Sequence, residues 1–127
     1  MTSTGSRHDA LADRMMKAIE DGDLDAVRGC YAPDLRLWMN LTRDEVGRDG
    51  AIEVLQGFVA MTASRRYEVT RRVDLADGYL QEHTLHVVGT NGAEAAAAAC
   101  LVVEVTDDAI TSIREYLDSR SLADAFR

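Results

Sequence analysis

The sequence predicts an α+β domain: two short helices, a strand and a third helix, followed by a meander of four antiparallel strands. Three observations carry that prediction. Apolar residues recur at three-and-four spacing as far as about residue 61, interrupted by one alternating strand. From Arg65 onward the period changes to two. Asp77-Gly78, Asn91-Gly92 and Asp107-Asp108 then cut the alternating stretch into strands of hairpin length.

In chain order, residues 1–7 are small and polar and read as a loose tail, which leaves 8–127 as a single domain. A first helix starts at His8 or Asp9 and runs to about Asp21, burying Leu11, Met15, Ala18 and Ile19, and Gly22 ends it. Asp23 caps a second helix with Leu24, Val27, Cys30 and Tyr31 on one face, and Pro33 prevents its continuation. Asp34 to Asn40 alternates: Leu35, Leu37 and Met39 face one way, Arg36, Trp38 and Asn40 the other. A polar loop over 42–49 leads to a third helix, from about Gly50 to Met61, with Ile52, Leu55, Phe58 and Val59 buried. Strands follow from Arg65, from Tyr79 to Val88, from Glu94 to Thr106 and from Ile110 to Leu117. The five alanines from Ala95 to Ala99 favour helix by propensity alone. The hairpin turn before them and LVVEV after them make the stretch a strand, whose small side chains suit a curved sheet or a close ligand. A short helix through Phe126 ends the chain, with Asp118 at its start.

Composition excludes several function classes. With 127 residues and 46% hydrophobic content, the chain can bury a real core. A net charge of -8 argues against nucleic acid and against anionic lipid surfaces. Cys30 and Cys100 lack CxxC spacing, so neither a zinc site nor a redox motif is present, and both read as reduced thiols in apolar runs. No signal-peptide core and no apolar run near the roughly 20 residues of a membrane span is found, so a cytoplasmic setting is expected.

The chemistry concentrates in YLQEHTLHVV. Alternation puts His83 with Tyr79, Gln81, Leu85 and Val87, and His86 on the opposite face. The two are therefore not a metal pair. His83 can shuttle protons near neutral pH if its face lines a cavity, or it is a structural histidine bonded to a neighbouring Gln, Tyr or backbone group. Glu115 shares its face with Ile113 and Leu117, where burial would raise its pKa and suit it to acid/base work; exposed, it would pair with Arg114 or Arg120. Trp38 and Asn40 could offer a ligand an aromatic wall and an amide, or be a core tryptophan beside a turn asparagine. Arg65, Arg66, Arg71 and Arg72 read as a solvated face or a dimer contact.

The segments GDLDAVRGCYAPDLRLWMN, GRDGAIEVLQGF and ITSIREYLDS resemble the nuclear transport factor 2-like superfamily. More narrowly they resemble its SnoaL-like branch, which includes polyketide cyclases, ketosteroid isomerases and limonene-epoxide hydrolases. The resemblance covers nearly everything after residue 8. It implies a curved antiparallel sheet and three N-terminal helices forming a cone around an apolar pocket, with homodimers through the outer sheet face. The general-base aspartate of the ketosteroid isomerases would fall near Met39 and Asn40, and their second aspartate near Leu101, so neither is present. The Arg-x-Asp of the epoxide hydrolases would fall within Glu82 to His86 and is also missing. Their last-strand acid is matched by Glu115, and their Tyr-x-Asn loosely by Trp38 and Asn40.

The expectation is a cofactor-independent isomerase, cyclase, hydratase, hydrolase or lyase. Its substrate would be apolar and cyclic, polyketide- or terpenoid-like. His83 would shuttle the proton, Glu115 would be its partner or the second acid/base, and Trp38 and Asn40 would orient the ligand. The alternative is a ligand-binding or dimeric assembly module of the same fold, without turnover.

Overall fold

A computed structural model describes residues 6–127. Helix α1 (Asp9–Asp21) and helix α2 (Leu24–Cys30) form the bent pair that Gly22 and Asp23 predict. Gly22 adopts a left-handed φ of 70° and its N–H closes the last turn of α1, while the Asp23 carboxylate accepts from the Ala26 N–H at 3.1 Å. Strand β1 (Tyr31–Met39) follows immediately, three residues earlier than the alternation alone suggests. The two-residue strand β2 (Glu45–Val46) lies in what reads as loop, and helix α3 is Arg48–Met61. Strands β3 (Thr62–Leu75), β4 (Gly78–Gly89), β5 (Glu94–Thr106) and β6 (Ala109–Leu117) form the meander, alanine run included. The chain ends in a 3-10 helix, η1 (Ser119–Phe126), where Asp118 accepts from the Ser121 hydroxyl at 2.6 Å.

The six strands make one open sheet in the order β2-β1-β6-β5-β4-β3. It is mixed rather than wholly antiparallel, because β1 lies parallel to β6. The register between those two shifts from Tyr31 to Arg36, across Pro33, which has no N–H to give a ladder. Helices α1, α2 and α3 cover the inner face, where Met15, Val27, Leu35, Ile110 and Val103 close the main core. Among the described residues no helix is long and apolar enough to cross a membrane. Ser6 and Arg7, assigned by sequence to the tail, are tied to β3: the Ser6 hydroxyl donates to Asp74 at 2.7 Å. Residues 1–5 of that tail lie outside the described residues.

One irregularity decides which arginines reach the interior. Strand β3 pairs Val69 with His83 and Arg71 with Glu82, so Thr70 is an extra residue and the strand bulges there. A bulge slips the alternation by one, and every later side chain changes face. Arg72, which strict alternation sends to a solvated face, is instead 1% exposed in the inner layer. Arg65 is also partly buried, donating to the Ile19 and Glu20 carbonyls at the end of α1. The basic run is therefore split: two of its arginines serve the interior.

The first hairpin turn is Ala76-Asp77, and Gly78 is already the first residue of β4. A side chain at Gly78 would collide with the carbonyl of Val103 on β5. Gly78→Ala is expected to destabilise the fold by ~2 kcal/mol, from forced separation of β4 and β5. Urea unfolding of the variant checks this; an unchanged midpoint would show that the strands can part freely.

Candidate functional site

Between the inner sheet face, α3 and η1 lies an apolar cavity of about 470 Å³. Leu55, Phe58, Leu85, Leu117, Leu122 and Phe126 form much of its wall. Leu41, Val54 and Met61, all well exposed, stand where it meets the surface. Its inner end continues into a smaller space of about 60 Å³ under α1. Met39, Val54, Leu55, Tyr67 and Glu115 wall both, so the wide apolar outer space and the narrow inner one adjoin at these residues.

The polar groups meet at that junction. Glu115 comes from near the C-terminal end of β6, paired with Met39 on β1 and Leu101 on β5. Glu115 as a whole is only half-buried, but its carboxyl lines the cavity among apolar groups, and this loss of water pushes its pKa up to about 7. No ion pair involves Glu115 among the described residues, so Arg114 and Arg120 are not its partners. His83, 4% exposed, lines the inner end from β4. Burial, reinforced by the nearby charge of Arg72, drives its pKa down to about 4. The Tyr67 ring packs edge-on against His83, with centroids 5.1 Å apart. Burial, then the proximity of Glu115, raises the Tyr67 phenol well above its ordinary value; Tyr31, also in the inner wall, is raised for the same two reasons.

Sequence and structure part company on the other two candidates. Trp38 lies on the outer face, packed at a tilt against the Tyr116 ring with centroids 5.3 Å apart and under the Arg114 guanidinium at 4.3 Å. The side chain of Asn40 extends the sheet ladder: its oxygen accepts from the Leu117 N–H at 3.0 Å and its amide donates to the Leu117 carbonyl. Neither lines the cavity, because both share the parity of Arg36 and point away from Leu37 and Met39. His86, on the outer face, pairs with Glu68 at 2.8 Å. The structure thus brings His83 and Glu115 to one cavity without a hydrogen bond between them, and it adds Tyr67. Among the described residues no group of three or more His, Cys, Asp or Glu side chains could hold a metal ion.

These features go with a fold that is already known. The chain belongs to the SnoaL-like domain family, whose model matches residues 12–113. Its architecture is the nuclear transport factor 2-like cone. A protein from Shewanella denitrificans assigned as a SnoaL-like polyketide cyclase superimposes with a TM-score of 0.80 at 13% identity, over 93% of this chain and 95% of that one. An M. tuberculosis LEH-like epoxide hydrolase gives 0.75 at 19% identity, over 92% and 86%. TerC, co-crystallised with polyporic acid, gives 0.80 at 14% identity, over 95% and 98%. At such identities the likeness carries the fold alone. No protein of curated function matches the sequence.

The two shifted groups give opposite pH signatures. Glu115 holds its proton more tightly folded than unfolded, so its contribution is present at low pH and is lost as pH rises from about 4.5 through about 7. His83 binds its proton more weakly folded, so its contribution is lost as pH falls from about 6.5 through about 4. In the wild type the two partly cancel over the shared window. Glu115→Gln is expected to gain up to ~3 kcal/mol relative to wild type above pH 7 and little at pH 4. Denaturant titrations at pH 4 and pH 8 measure the difference; equal offsets at both would show that Glu115 titrates normally.

Proposed function

We propose that the chain is a cofactor-independent acid/base enzyme acting on an apolar cyclic small molecule, polyketide- or terpenoid-like, with Glu115 as the group that takes and returns the proton. One observation carries this reading: a carboxyl with no ion-pair partner among the described residues stands at the inner end of an apolar cavity large enough for such a ligand. A carboxyl whose pKa lies near working pH is both a competent base and a competent acid. It would remove a proton from a carbon beside a substrate carbonyl, leaving the charge on the carbonyl oxygen. Neutral His83 and the Tyr67 phenol, which line the inner end with Glu115, are the groups that would meet that oxygen. The carboxylic acid then returns the proton to another atom, which gives isomerisation, or cyclisation when the carbanion attacks within the substrate. Hydration and ring opening use the same groups on water. Relatives of the fold assigned as a polyketide cyclase and named as an LEH-like epoxide hydrolase support this range of chemistry.

A panel of cyclic ketones and enones incubated in D2O tests it by mass spectrometry. Deuterium uptake above the buffer rate is expected, with a loss of about 10²- to 10⁴-fold in Glu115→Gln. The second reading, a binding or assembly module without turnover, draws on the lack of a bond between His83 and Glu115 and on Met39 and Leu101 where the isomerases carry acids. Thermal stabilisation by panel members with no exchange by any of them would establish that reading instead.

We also propose a cytoplasmic setting and a homodimer packed through the outer sheet face. The Trp38, Tyr116 and Arg114 stack there, with Tyr116 42% exposed, and a shallow hollow over Ala96 support the pairing. Sedimentation equilibrium is expected to give twice the chain mass, and Tyr116→Glu to give the single chain. A monomeric wild type would remove the dimer from the proposal.

A further inference from the structure

The inner end of the cavity is backed by a buried polar chain that the proposed chemistry does not itself use. Arg72 has no exposed side-chain surface. Its Nη1 donates to Asp9 at 2.8 Å, its Nη2 lies 3.0 Å from Asp13, and its Nε and Nη2 donate to the Gln81 Oε1 at 3.1 and 2.8 Å. Gln81, fully buried, then places its Nε2 2.9 Å from the Nδ1 of His83 and 3.5 Å from the Met16 sulfur. The direction of this chain is dictated by valence. A guanidinium only donates, so the Gln81 atom facing Arg72 must be the oxygen. The amide nitrogen therefore faces His83, and an amide nitrogen only donates. Nδ1 must accept, which leaves the single ring proton of a neutral His83 on Nε2. That nitrogen has no hydrogen-bond partner among the described residues, and the ring lines the cavity beside Tyr67 and Glu115.

We infer that Arg72, acting through Gln81, holds His83 as the Nε2–H tautomer, so that His83 offers the cavity a hydrogen-bond donor and not a base. Arg72 and Gln81 are positioning residues, and His83 is the group that would meet a ligand oxygen. A proton on Nδ1 would point at the Gln81 amide hydrogens, with the Arg72 charge close behind. The groups facing the ring are Gln81 on its own strand, Tyr67 and Arg72 on β3, Glu115 on β6 and Met16 on α1, with Asp9 and Asp13 one step further out on Arg72. Both carboxylates are spoken for by Arg72, and none of these neighbours offers Nδ1 an acceptor. The inference rests on the proposed function only for the ligand that Nε2–H would meet; the tautomer itself stands on the hydrogen bonds.

Long-range 1H–15N NMR of histidine-labelled protein reads the tautomer directly, with His8→Gln and His86→Asn variants to assign the three imidazoles. Wild-type His83 is expected to show an unprotonated Nδ1 and a protonated Nε2, favoured at least ~10-fold, unchanged between pH 8 and pH 5.5. Gln81→Glu keeps the partner of Arg72 and turns the other contact into an acceptor, so protonated Nδ1 should become the main form. Arg72→Met frees the amide to rotate, and a Nδ1–H population should appear. A wild-type Nδ1–H signal, titration of His83 within that range, or an unaltered signal in folded Gln81→Glu would each overturn the inference. The wild-type spectrum decides it even if a variant does not fold. Because no turnover is needed, a failed exchange assay with the expected spectrum would count against the enzyme reading alone.

Discussion

The buried guanidinium of Arg72 is the constraint on which the rest of the site depends. An unpaired charge in a protein interior is prohibitively unfavourable, so burying one forces the neighbouring elements to supply acceptors. Here α1 supplies Asp9 and Asp13, β4 supplies Gln81, and the Tyr79 ring lies 5.9 Å from the guanidinium carbon. Three elements are thereby held in one relation, and that relation fixes where His83 stands. Replacing such a cluster with apolar residues often leaves stability unchanged or improved. Its presence here is better explained by what it does to the adjoining cavity than by what it adds to the core.

The cluster divides the inside of the cone into two chemical zones. Under α1 a hydrogen-bonded thread from Asp9 through Arg72 and Gln81 to His83 crosses the otherwise apolar core. Toward α3 and η1 the interior is apolar, with Leu85, Leu122 and Phe126 facing Phe58 and Leu117. Glu115 and Tyr67 stand at the boundary. A ligand entering past Leu41 and Met61 would bury its apolar body in one zone and bring a polar end to the other. The hydrophobic term would then hold the ligand, and the few polar groups would orient it.

Much of this was legible in the residues. Period-two alternation grouped His83 with Tyr79, Gln81, Leu85 and Val87, and Glu115 with Ile113 and Leu117, but left open which face was inner; the structure turns both groups toward the interior. The same parity rule already set Trp38 and Asn40 opposite Leu37 and Met39; their aromatic and amide chemistry, with the loose likeness to a Tyr-x-Asn pair, suggested a ligand role that their face does not serve. The asparagine instead replaces a ladder bond that β1 would otherwise lose at its end. What alternation could not show was Arg72. A bulge at Thr70 has no residue signature in VTRRV, and without it the arginine falls on the solvated face. Gln81 was visible as a neighbour of His83, but its role depends on a partner that the bulge delivers. Gly78 was legible as a special position for another reason: contact with Val103 rather than a left-handed turn explains it.

His83 and Glu115 show how one environment can act oppositely on an acid and a base. Withdrawal of water disfavours whichever form is charged, so the carboxyl is pushed toward its protonated form and the imidazole toward its unprotonated form. Near neutrality the histidine is then uncharged, while the carboxyl sits close to its midpoint. Two groups that in water would titrate in the order Glu then His are inverted, and the usual assignment of roles inverts with them. The carboxyl becomes the member that can exchange a proton at little cost. The imidazole, neutral and held from behind by Gln81, becomes a fixed dipole whose value lies in not moving. A fixed neutral donor beside a mobile proton suits chemistry in which charge develops on an oxygen while a proton leaves a neighbouring atom. An ion pair between the two would have neutralised the carboxylate and spent the histidine's donor on the protein itself. With no bond between them, both stay available to a ligand.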